Sequence, residues 1–136
     1  MFRKFAIAAI AAAAATAGWA ADPVSDWGTR QLKEMDASGF GTAVDGMTWE
    51  GTVPAGETGK IAVSFPADGK YAIVGSCGED CTDIGLILDQ NGKTVAEGVT
   101  GFRSDITAGS YSLLVGFDNC KSGQCRYVVR AYQTKQ

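Results

Sequence analysis

Polar and apolar residues change rhythm twice along this chain. An unbroken apolar run from Phe5 to Ala15 follows the basic tip Met1-Phe2-Arg3-Lys4. Beyond it, Val24, Trp27, Leu32 and Met35 recur roughly as the inward stripe of a helix does. That spacing predicts a short helix opening at Asp22-Pro23 and running to about Ala37. Asp22 would cap it, Pro23 suits its first turn, and Ser38-Gly39 would end it. From Gly41 onward the period shortens to two. Met47, Trp49 and Val53 alternate with Thr48, Glu50 and Thr52, and Ile61, Val63 and Phe65 with Ala62 and Ser64. Tyr111, Leu113, Val115 and Phe117 make the cleanest inward face, while Tyr71–Cys77 and Ile84–Leu88 are apolar on both sides, as interior strands are. The last run sets Tyr127, Val129 and Ala131 against Arg126, Val128 and Arg130.

Turn chemistry separates these runs at Pro54-Ala55-Gly56, Pro66-Ala67-Asp68-Gly69, Asn91-Gly92 and Thr107-Ala108-Gly109. Asn91-Gly92 is the strongest signal, because that pair tolerates the positive φ angles of a two-residue hairpin. Seven or eight short strands so spaced predict a mainly β fold, an antiparallel β-sandwich with a short N-terminal helix. The chain then divides into an export segment (1–20), a helical segment (21–40) and the sandwich (41–136).

The export segment follows from order and length. A basic tip, an apolar stretch too short to span a bilayer and the small residues Gly18 and Ala20 form a secretory signal, with cleavage expected after Ala20. The mature chain is expected in the periplasm or outside the cell, with no membrane span left. Of the 136 residues about 116 remain, enough for one core. Removing Arg3 and Lys4 shifts the net charge from −3 to −5, which disfavours nucleic acid as a partner. There is no histidine, so Ser-His and Cys-His nucleophile pairs and most zinc hydrolase sites are excluded.

Four cysteines form two close pairs in sequence, Cys77 with Cys81 and Cys120 with Cys125. Outside the cytoplasm, oxidation to disulfides is favoured over a four-thiolate zinc site. Spacing leaves all three connectivities open. Crossed bridges would close longer loops and stabilise more, whereas near neighbours meet more readily.

The stretch from Cys77 through Asp89-Gln90-Asn91-Gly92 to Val95, followed by Ile106-Thr107-Ala108-Gly109-Ser110-Tyr111 and Ser112 to Val115, resembles the bacterial pre-peptidase C-terminal domains. The likeness runs from about Thr48 to Tyr132. It implies a secreted β-sandwich of jelly-roll type. Single-domain relatives with two close cysteine pairs imply local bridges, Cys77–Cys81 and Cys120–Cys125. The family has no uniform activity, so the resemblance implies a fold rather than a reaction.

Candidate contact residues are few. Glu79, Asp80, Asp83 and Asp89 are the densest acidic set and the candidate Ca²⁺ ligands; no other cofactor is expected. Asp89-x-Asn91-Gly92 echoes part of a calcium loop, but its twelfth position holds Thr100 instead of glutamate. Phe40 and Phe102, beside glycines in expected loops, could join Trp27 and Trp49 as a stacking platform for carbohydrate or peptide. Tyr111, in Ala108-Gly109-Ser110-Tyr111, could present a loop that blocks an enzyme cleft. The resulting expectation is a non-catalytic binding or interaction module for a protein or carbohydrate ligand. Its alternatives are an inhibitor of a secreted hydrolase and a small histidine-free enzyme using acidic residues or a Ser-Lys pair.

Overall fold

The computed structural model describes residues 24–79 and 81–134. The export segment, Asp22, Pro23 and Asp80 lie outside them. Within the described residues the chain forms one helix, α1 (Asp26–Ala37), and eight strands: β1 (Thr42–Pro54), β2 (Gly59–Phe65), β3 (Gly69–Cys77), β4 (Cys81–Gln90), β5 (Lys93–Val99), β6 (Gly101–Ile106), β7 (Gly109–Cys120) and β8 (Gln124–Gln133).

The strands form two four-stranded sheets, ordered β1-β8-β3-β6 and β2-β7-β4-β5, and every pairing is antiparallel. The chain changes sheet at every connection except the β4–β5 hairpin. That nested order is a jelly roll, the fold that strand spacing and resemblance together implied. The hairpin turns on Asn91 (φ 55°) and Gly92 (φ 79°), with Gln90 opposite Lys93, as the Asn-Gly pair requires.

Alternation decides what each strand buries. Tyr111, Leu113 and Val115 of β7 meet Leu86 and Leu88 of β4, and across the sandwich Ile73, Val129 and Ala131. Strands β3 and β8 are apolar on both faces because each has a second buried side. Ala72, Val74, Val128 and Tyr132 face away from the sandwich core and lie beneath Leu32 and Met35 of α1. Among the described residues strand β4 has no such cover: Leu86 and Leu88 are buried but the outward Ile87 is only half-buried.

The helix begins later than the sequence suggests. Ser25, not Asp22, is the N-cap; its extended backbone (φ −62°, ψ 166°) turns the side chain to accept from Gly28 N–H at 3.0 Å. Glu50 of β1 fixes that cap by accepting from Ser25 N–H at 2.8 Å and from the Ser25 hydroxyl. The helix ends where expected, at Ser38 followed by Gly39 (φ 83°). Its last turn is tied down by Asp36, which accepts from Arg130 at 2.9 Å and from the Tyr132 hydroxyl. Arg130 Nε also donates to Thr48 at 2.8 Å. Held at both ends, α1 is packed against the sandwich.

Strand β6 also departs from what its sequence suggests. Phe102 lies within this edge strand, opposite Ile73 of β3, and not in a loop. The chain enters β6 through a tight corner at Thr100 (φ 67°), which donates to Ile84 O at 2.7 Å and accepts from Gly75 at 2.8 Å. Gly98 presses so close to this corner that a Cβ there would stand 2.1 Å from Gly101 O.

Disulfides Cys77–Cys81 and Cys120–Cys125 are both formed, pairing within each loop. Cys77 ends β3 and Cys81 starts β4; Cys120 ends β7 and Cys125 lies at the start of β8. Each bridge therefore joins one sheet to the other. Cys81 stands opposite Cys120 in the β4–β7 ladder, so both bridges close the same end of the sandwich.

Candidate binding site

That end carries an open concavity of about 740 Å³, bordered by Trp27, Arg30, Glu50, Glu79 and Arg126 beside Cys81 and Cys125. Three structural decisions place its side chains. The Ser25 cap starts α1 so that Trp27 falls in the first turn, half-buried against the cluster beneath the helix. Alternation along β8 buries Cys125 and Tyr127 and turns Arg126 outward, toward that turn. The disulfide loop brings Gly78 against the Arg126 stem, where a Cβ would lie 3.2 Å from Arg126 Cγ and Cδ.

Arg126 is thereby confined on two sides. Its guanidinium carbon stands 4.3 Å from the centre of the Trp27 ring. A guanidinium stacked on indole keeps its in-plane N–H groups directed outward, the geometry suited to a carboxylate or phosphate. Glu50 forms no ion pair with it and instead accepts from the Ser25 N–H and hydroxyl, one on each oxygen. Among the described residues the ion pairs are Lys70–Asp105 and Arg130–Asp36, and neither Arg126 nor Arg30 takes part in one. The floor is dry. Tyr127 is buried beneath Gly51, whose Cβ would stand 2.7 Å from its hydroxyl, and burial raises its pKa.

The residues singled out in the sequence are dispersed. Phe40 follows α1, half-buried, its ring 5.7 Å from that of Tyr132 and 5.9 Å from the Arg103 guanidinium. With Arg103 and Lys70 it borders a second hollow of about 700 Å³. Phe102 packs on the sandwich core and shares with Phe40 a smaller hollow of about 310 Å³. Trp49 packs against the core and Trp27 stands at the disulfide end, so the four aromatic residues do not form one platform. Tyr111 is buried, edge-on to Phe65 at 5.4 Å, and its hydroxyl donates back to Thr107 O at 2.7 Å. It cannot offer its ring to a partner. The turn before it is short and held by Asp68, which accepts from Ala108 N–H at 2.7 Å.

The acidic set also separates. Glu79 borders the disulfide-end concavity, exposed Asp83 (φ 52°) sits near the start of β4, and Asp89 lies at the far end of that strand beside the hairpin. Asp80 lies outside the described residues. Among the described residues no three Asp, Glu or Cys side chains stand together as a cation site would need. The sequence reading missed Arg126 and Arg30. Only the packing of α1 along β8 brings the first of them to Trp27, and no local motif announces it.

No family model matches this chain, and no curated protein matches it. Among solved structures it is similar to Aeromonas hydrophila PliG, a periplasmic lysozyme inhibitor of g-type lysozyme. The identity is 8% and the TM-score 0.46, over 65% of this chain and 89% of that one. A likeness of that order carries no function from one protein to the other.

Proposed function

We propose that this protein is a non-catalytic binding module of the periplasm or cell exterior, which holds a protein partner at its disulfide-tied end. The observation that carries this reading is the placement of both bridges. They join the two sheets at one end and fix the β3–β4 and β7–β8 connections around the concavity that holds the Trp27–Arg126 stack. A rim fixed before contact loses little freedom on binding, and Trp and Arg are the residues that most often dominate interface energetics. Disulfides fit an oxidising compartment. A chain without histidine suits binding better than proton transfer near neutral pH. Blocking a secreted hydrolase is one form such binding can take. The tied turn at residues 78–79 and the bridged start of β8 at Gln124 and Cys125 favour it, because a rim held at its base keeps its shape inside a cleft.

The test is capture from an envelope fraction with immobilised mature protein, alongside turnover and inhibition assays on a panel of secreted hydrolases. Wild type should retain a protein that the double variant Trp27→Ala/Arg126→Glu releases, with thermal unfolding of the two chains alike. Equal retention by both, or turnover by the purified chain, would overturn the proposal.

A further inference from the structure

Resting on the reading above, we infer that the Trp27–Arg126 stack is a carboxylate receptor, and that the partner presents an acidic side chain or its C-terminus to it. Three observations converge on this. First, Arg126 is positioned rather than free: the indole lies 4.3 Å below its guanidinium carbon and Gly78 leaves room for its stem. Long cationic side chains lose rotamer freedom when they bind, and one already held loses less. Second, this guanidinium has no carboxylate partner among the described residues, although two other basic residues, Lys70 and Arg130, do have one. The nearby acid Glu50 is committed to the helix cap. Third, Arg30, one helical turn beyond Trp27, borders the same concavity and adds a second positive charge there.

A planar carboxylate matches the guanidinium edge with two parallel N–H···O bonds, which a compact point charge would not reward. Glu79 on the rim repels a wide anionic surface such as a nucleic acid backbone or an anionic bilayer, which cannot approach Arg126 without also lying against that carboxylate. A single acidic group on a protruding segment satisfies both conditions.

Peptides test this without an identified partner. The mature chain, labelled with ¹⁵N, is titrated with an N-acetylated, C-amidated peptide rich in Glu, its Gln counterpart, a peptide ending in a free carboxylate, and inorganic phosphate. The Trp27 indole N–H and Arg126 Nε–H resonances report the site. Carboxylate-bearing peptides should shift both signals in a saturable way, at least tenfold more tightly than the Gln peptide or phosphate. Arg126→Gln should abolish the effect, Arg126→Lys should restore only a small part of it, and Trp27→Phe should weaken it severalfold. Equal response to the Gln peptide, tighter binding of phosphate than of any peptide, or full rescue by Lys would each overturn the inference. These results are separable from the capture experiment. A partner retained at this end without a carboxylate response would remove the receptor and leave the binding module standing.

Discussion

Tyr132 shows how one side chain ties the helix to the sandwich. It is buried under α1, and its hydroxyl donates to Asp36, the residue that also accepts from Arg130. Burial is the main cause that raises its pKa from 10.0, with the Asp36 hydrogen bond and charge adding to it and Arg130 partly offsetting them. Tyr127, buried on the other face of β8, is raised by burial alone. The folded state therefore holds both phenols neutral beyond the pH at which the unfolded chain releases their protons. Their contribution is complete below about pH 10 and is lost as pH climbs through the raised folded values. Urea midpoints should consequently stay flat from neutral pH to about pH 9 and fall above about pH 10. Tyr132→Phe should make that fall shallower. At neutral pH it should cost about 1 kcal/mol, the loss of one hydrogen bond to a carboxylate that water and Arg130 still solvate. An alkaline limb identical in wild type and variant would contradict this account of Tyr132.

At the scale of elements, the helix start and the β5–β6 corner carry distinct predictions. Ser25→Ala removes the acceptor for Gly28 N–H and the hydroxyl bound by Glu50, so it should cost about 1–2 kcal/mol. The loss should concentrate in α1: its amides should exchange faster by hydrogen exchange while those of β4 and β7 keep their protection. Gly98→Ala sets a methyl against backbone, 2.1 Å from Gly101 O, so that the corner must open and both adjoining strands shift. Its unfolding midpoint should drop by more than that of Ser25→Ala, and an unchanged midpoint would show that the corner is looser than described. These same elements mark what could be read in the sequence. The β7 alternation, the Asn91-Gly92 hairpin and the Ser38-Gly39 helix end are local signals, and the structure follows them. Strand β6 is different. Arg103, Ser104 and Asp105 make it look like a loop, and it is a strand because its backbone pairs with β3 at the sheet edge. The same limit hid the Trp27–Arg126 stack, since the two residues belong to elements that meet only when α1 lies along β8. Phe40 and Tyr111 looked available in sequence, yet one is half-covered and the other buried, because burial depends on what packs above a residue.

For the whole molecule, the two bridges act at one end of a core that lies between the sheets along their length. Each closes a loop of only a few residues, so the chain-entropy estimate is about 2 kcal/mol per bridge. Replacing Cys77 and Cys81 by serine, or Cys120 and Cys125, should lower unfolding free energy by about that much in each case while the fold persists. The larger effect should fall on binding, because the rim around Arg126 would lose its anchorage before contact. The most direct measurement of the central claim is site-specific photo-crosslinking in cells that produce this chain from its full sequence. A photoreactive residue at Gln124, on the rim of the disulfide end, is compared with one at Ala62, exposed on β2 of the opposite sheet. The account predicts a discrete protein adduct from position 124 that fades with Arg126→Gln, and none from position 62. Adducts of equal yield from both positions, or none from position 124, would contradict it.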